Sequence, residues 1–202
     1  MTTWYWLADL LPFAWAHYTF MQNALLAILL FSPLFAVLGC LVINNQMAFF
    51  SEAIGHAALT GIAIGVLAGL GEPLWSMTVF SILLAILMSG LRRWSAASTD
   101  TIIGLIMAFC VALGVVILSH NGGFNKYSRY LIGDILTITP GEIFRLFLLL
   151  IVAGGFFCVL FNRLVFISIN RSLASSRGVP VWFLETAFAC LVAVTVTFCI
   201  LS

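Results

Sequence analysis

Six apolar runs, each long enough at 1.5 Å rise per residue to cross a hydrocarbon layer of about 30 Å, constrain this chain more than any other feature. They are Met21–Ile43, Phe50–Leu70, Leu74–Leu91, Ile102–Ser119, Phe144–Ile169 and Val181–Leu201. Hydrocarbon offers no water to an unpaired N–H or C=O, so a lone segment can cross it only as a helix. The expected fold is therefore all-α, a polytopic integral membrane protein with about six transmembrane helices. Polar breaks separate the runs: Asn44-Asn45-Gln46, Gly71-Glu72-Pro73, Arg92-Arg93 through Asp100, His120-Asn121-Gly122-Gly123, and Asn170 through Pro180. Tyr130–Thr139 is apolar but too short to cross and reads as a re-entrant or half-crossing piece.

Composition agrees. With 63% apolar residues, 7% charged residues and a mean hydropathy of +1.20, a water-soluble fold is excluded. A net charge of +1 without a Lys/Arg cluster excludes a nucleic-acid surface. Cys40, Cys110, Cys158, Cys190 and Cys199 stand singly in apolar runs without CxxC spacing, so they read as small buried hydrophobes. Residues 1–20 lack the positively charged leading segment of a cleavable signal peptide. Trp4, Leu7, Leu11, Trp15 and Tyr18 recur there at roughly helical spacing, which suits an interfacial helix, with a disordered terminus as the alternative. The whole chain, 1–202, reads as a single transmembrane domain.

Cations set the expected sidedness, because Lys and Arg are retained on the cytoplasmic side. Alternating six spans puts Arg92, Arg93, Arg171 and Arg177 on one face, with Arg163 able to snorkel towards it, and Lys126, Arg129 and Arg145 on the other. The first face is the cytoplasmic one, and both termini lie outside.

Glu52 and His56 differ from the other polar residues because they sit within an apolar span, where an ionised group costs several kcal/mol unless paired or hydrated. Four residues apart, they share a helix face, and Thr60 continues that ridge. A carboxylate and an imidazole together suit zinc, manganese or ferrous iron better than calcium or magnesium. The same pair also fits a structural reading, a neutral carboxyl near a helix end and a hydrogen-bonded core histidine. Beside the ridge, Ala53, Ala57, Gly61, Gly65 and Gly69 form a small-residue ladder that lets another helix approach closely. Nothing here cradles a nucleotide: the phosphate loop needs Gly before its lysine, and the only lysine, Lys126, follows Asn125. HExxH and GxSxG are absent too, so the chain is not expected to be an enzyme, and any ATP hydrolysis belongs to a partner.

Four stretches together carry a resemblance. Met47 through Gly61, reading MAFFSEAIGHAALTG, resembles the second-helix signature of the ABC-type manganese/zinc/iron permeases. Asp100-Thr101-Ile102-Ile103-Gly104, leading to Ala112-Leu113-Gly114, looks like that family's Asp-Thr-Ala-Ile-Gly helix. Tyr130-Leu131-Ile132-Gly133-Asp134-Ile135-Leu136 is similar to its Tyr-Leu-Phe-Gly-x-Ile-Leu segment. Leu173-Ala174 through Arg177-Gly178-Val179 resembles the short cytoplasmic helix that docks onto the ATPase. The four occur in family order across nearly the whole chain.

The resemblance implies a permease subunit of an ATP-driven importer in a bacterial-type cytoplasmic (inner) membrane. It further implies a homodimer with a second permease subunit, a cytoplasmic ATP-binding subunit and an extracytoplasmic metal-binding protein. Manganese, zinc or iron would be cargo, with no intrinsic cofactor. Glu52 and His56 would be metal ligands, and Asn170, Arg171, Leu173, Ala174, Arg177 and Gly178 the ATPase-docking set. Locally, Asn170 can cap a short helix, Gly178 can end it and Pro180 stops it, although an ordinary capped loop with lipid-facing arginines fits the same residues. Asn44 and Asn45 replace the family's usual basic pair, Glu52 its commoner aspartate, and Asn170-Arg171-Ser172 its Asp-Pro-Glu-like opening. The sequence stops at Ser202, where family members continue through about two further membrane helices, so the domain reads as incomplete at its C-terminus, with a fragment, a shortened gene product and a divergent member all fitting. That difference leaves a non-transporting scaffold subunit as the rival reading, with a nucleotide-independent metal channel as a third.

Overall fold

The computed structural model describes residues 18–69, 73–95, 97–120 and 138–201. These residues are helical almost throughout: α1 (Thr19–Asn44), α2 (Phe50–Leu67), α3 (Pro73–Trp94), α4 (Thr99–His120), α5 (Pro140–Ile169), the short α6 (Arg171–Ser176) and α7 (Val181–Leu201). Six of these are long and apolar enough to cross a membrane, and they are the six runs expected from the sequence. The interfacial helix expected before Tyr18 and most of the half-crossing segment Tyr130–Thr139 lie outside the described residues.

Helix ends follow local chemistry. After α1, Gln46 takes a left-handed φ of 56°, while Gln46 N–H donates to the Ile43 carbonyl and Met47 N–H to that of Val42. That pairing is the Schellman stop, made here with glutamine where glycine is usual. α6 ends the same way at Gly178, φ 75°, with Val179 N–H donating to the Ala174 carbonyl. Four spans run longer than hydropathy indicated, and two of them, α4 and α5, begin three or four residues early. α5 opens at Pro140 because Thr139 and Glu142 form a reciprocal capping box. α4 starts at Thr99, with Ser98 Oγ accepting from the Thr101 amide at 3.3 Å and Asp100 in its first turn, where the helix dipole favours an anion.

α2 is the central helix: 61% of its most apolar stretch is buried, against 28% for α1, α4 and α5. It packs on α3, α4 and α7, while α1 and α5 pair with each other. The small-residue ladder is what admits α3. A Cβ on Gly61 would lie 3.0 Å from Met77 Cα, and one on Gly65 would run into the Ser76 side chain. On the α4 side, Thr60 Oγ1 donates to the Cys110 carbonyl, and Gly114 leaves room for Thr60. Thr60 thus faces α4 and is fully buried, so it does not extend the open Glu52–His56 ridge as its spacing suggested.

Candidate metal site and docking helix

The other side of α2 is left open. Glu52 and His56 project there with side chains 57% and 53% exposed, Glu52 Oε1 lying 3.9 Å from His56 Nε2. Two donors about 2.1 Å from one cation can be at most about 4.2 Å apart, so a single ion could touch both after small rotamer changes. Among the described residues no group of three or more His, Cys, Asp or Glu side chains converges, so those residues offer two protein donors at that point. The pair lies where α2 is flanked by spans, with Thr60 one turn further on against the middle of α4.

The second set of expected residues forms α6. Asn170 Oδ1 accepts from the Leu173 amide at 2.9 Å and caps the helix, and Gly178 ends it in the left-handed conformation, as the sequence predicts. Ala174 is fully buried and anchors α6 to the core, whereas Leu173 is 46% exposed. The two arginines are engaged within the chain. Arg171 Nη2 donates to Glu185 Oε2 of α7 at 2.8 Å, and the Arg177 guanidinium lies 5.7 Å from the Phe166 ring of α5. Glu185 was not singled out by sequence reasoning, although a carboxylate five residues into an apolar span is the same signal that drew attention to Glu52.

Around Glu185 the structure gathers the charges of one end of the bundle. Arg92 in the last turn of α3 lies within the electrostatic reach of Glu185 and Arg171, and its Nη2 donates to the Asn45 carbonyl at 3.4 Å. Arg93 lies 5.8 Å from the Trp182 ring. Helix α6 is therefore tied through α7 and α3 to the link that precedes α2. Arg92, Arg93, Arg171 and Arg177 thus meet at one end, as the alternating spans required.

The profile of the ABC 3 transport family matches residues 17–201. An uncharacterised membrane protein of Synechocystis is 32% identical over 181 residues, covering 89% of this chain and 64% of its own length. The manganese import system permease protein ScaB of Streptococcus parasanguinis is 28% identical, covering 82% of this chain and 59% of its own length. The high-affinity zinc uptake system membrane protein ZnuB of Haemophilus influenzae is also 28% identical, covering 86% and 66%. The solved structure of PsaBC from Streptococcus pneumoniae in complex with Fab superposes with a TM-score of 0.74 at 25% identity, covering 92% of this chain and 67% of that one. The chain thus spans roughly six-tenths of the length of the curated relatives it matches.

Proposed function

The chain belongs to the ABC 3 transport family, and on that premise we propose that it is the membrane-spanning permease part of an ATP-driven importer of a divalent transition metal in a bacterial cytoplasmic membrane. The observation that carries the proposal is the Glu52–His56 pair, half exposed on the open side of the most buried helix. An ionised carboxylate facing lipid costs several kcal/mol, so that side calls for a polar cover. A second copy of the chain provides one. Two-fold symmetry would set a second glutamate and histidine opposite the first and give a mixed oxygen and nitrogen shell suited to manganese, zinc or ferrous iron. Relatives named for manganese import and zinc uptake support those two cargoes.

In this reading the ion waits between the two copies at a site that opens to one side at a time, and the partner ATPase biases the exchange by pulling on α6. An extracytoplasmic binding protein delivers the ion. The test is uptake of manganese or zinc by cells co-expressing this chain and its partner ATPase. His56→Ala and Glu52→Gln should each lower uptake by more than about tenfold, since losing even an outer-shell partner of a metal site costs 10–100-fold. Membrane insertion should be unchanged, because removing polarity from a span does not oppose insertion. Glu52→Asp should keep transport and shift the preference among metals. Parental uptake by both His56→Ala and Glu52→Gln would make the pair structural, and uptake that persists without the ATPase would make the protein a channel.

A further inference from the structure

A cavity of about 390 Å³ opens at the basic end of the bundle, where the end of α3, the start of α7 and α6 all contribute to its lining, with Arg93, Arg171, Ser175, Trp182 and Phe183 among the lining residues. Among the described residues three guanidiniums, Arg92, Arg93 and Arg171, share this corner with the Glu185 carboxylate, a surplus of positive charge. Among the described residues Arg93 has no carboxylate within ion-pair distance and rests only on the Trp182 ring. Arg171 turns one nitrogen towards Glu185, and a guanidinium has five N–H donors, so others remain for the cavity.

Position selects the occupant. Spans α3 and α7 reach the membrane surface here, since α3 ends at Trp94 and α7 starts at Val181. The exposed aromatics are those of a headgroup layer: Trp94, Trp182 and Phe183 all show large open surfaces. A cavity lined by two guanidiniums, a hydroxyl and two aromatic rings matches an amphipathic anion, with phosphate oxygens for the guanidiniums and glycerol and acyl carbons for the rings. Guanidinium recognises phosphate through paired N–H donors, and basic pockets between spans are a recurrent form of headgroup site.

We propose that this cavity binds the phosphodiester headgroup of an anionic glycerophospholipid drawn from the leaflet at the basic end, with Arg93 as the principal contact. Such a lipid would touch Arg171 and Ser175 and so steady α6 against α7. The proposal needs the bilayer but not the transport reading, and it stands or falls separately from Glu52 and His56.

The experiment is native mass spectrometry of the full chain released from nanodiscs of phosphatidylcholine containing a minority of phosphatidylglycerol. One phosphatidylglycerol per chain should be retained in preference to phosphatidylcholine. Arg93→Gln should lower that retention about fivefold, the effect of one cation near an anionic lipid, and Arg93→Lys should recover part of it. Arg145→Gln, an exposed arginine outside this corner, should leave retention unchanged. Equal retention of the two lipids, or equal losses in Arg93→Gln and Arg145→Gln, overturns the proposal. Displacement of the lipid by millimolar inorganic phosphate would instead assign the cavity to free phosphate. Monodisperse elution of each variant establishes that a lost adduct is not a lost fold.

Discussion

At the scale of single residues, the contact between Thr60 and Gly114 sets how closely α2 and α4 approach. A Cβ on Gly114 would lie 2.7 Å from Thr60 Oγ1, 3.1 Å from its amide nitrogen and 3.2 Å from its Cα. Gly114→Ala should therefore destabilise the bundle by about 1–3 kcal/mol, the usual cost of forcing a methyl into a packed contact, read as a lower melting temperature in detergent. Thr60→Ala should relieve only part of it, because two of the three close atoms are backbone. A Gly114→Ala protein that melts with the parent would show that α4 shifts freely. The sequence placed Glu52, His56 and Thr60 on one ridge, which helical spacing alone makes true. It could not show that α4 covers the third residue and leaves the first two open, because that depends on a neighbour some 50 residues away. Glu185 escaped notice for a related reason: its meaning lies in Arg171 and Arg92, which fold back to it from two other elements.

At the scale of elements, α6 was legible because its signals are local. Asn170 caps within three residues, Gly178 supplies the left-handed stop, and Pro180 prevents continuation. The extra turn of α5 was equally local but went unread, since Thr139-Pro140-Gly141-Glu142 carries both the capping-box spacing and a proline at the first helical position. Hydropathy marks where a helix becomes apolar, not where it begins. Of the surface of α6, Leu173 is the apolar side chain left for a partner, Ala174 being committed to the core. Leu173→Asp should reduce recovery of the partner ATPase in a pull-down by more than about tenfold, the scale of a lost interface anchor, with the membrane domain still folded. Arg171→Glu is expected to weaken recovery too, but it also sets two carboxylates against each other at Glu185. Adding Glu185→Arg restores the internal pair and separates the two effects. Undiminished co-purification with Leu173→Asp would show that α6 is not the ATPase contact.

At the scale of the whole molecule, hydropathy gave all six spans because a bilayer demands the same length and polarity of every one. The packing order was less accessible: the small-residue ladder announced a close neighbour for α2, and only the fold identified it as α3, with α4 admitted by a glycine on the opposite partner. The sidedness of the bundle can be argued from where its arginines meet. Arg92, Arg93, Arg171 and Arg177 lie at one end, held by Glu185, Trp182, Phe166 and the Asn45 carbonyl. Retention of cations on the cytoplasmic side then orients α3 and α5 inward at their C-termini, and α6 lies where a cytoplasmic ATPase can reach it. Ser95, exposed just after α3, reports this directly. In a background lacking Cys40, Cys110, Cys158, Cys190 and Cys199, a Ser95→Cys protein should resist a membrane-impermeant maleimide in intact cells and label once the membrane is opened. A cysteine at Ser172 on α6 should behave identically, because the fold puts both positions at the same end. Labelling of both from outside would invert the bundle and leave α6 facing away from any source of ATP. Labelling of one and not the other would contradict the packing of α6 against α5 and α7, and with it the corner that Arg171 shares with Arg92 and Arg93.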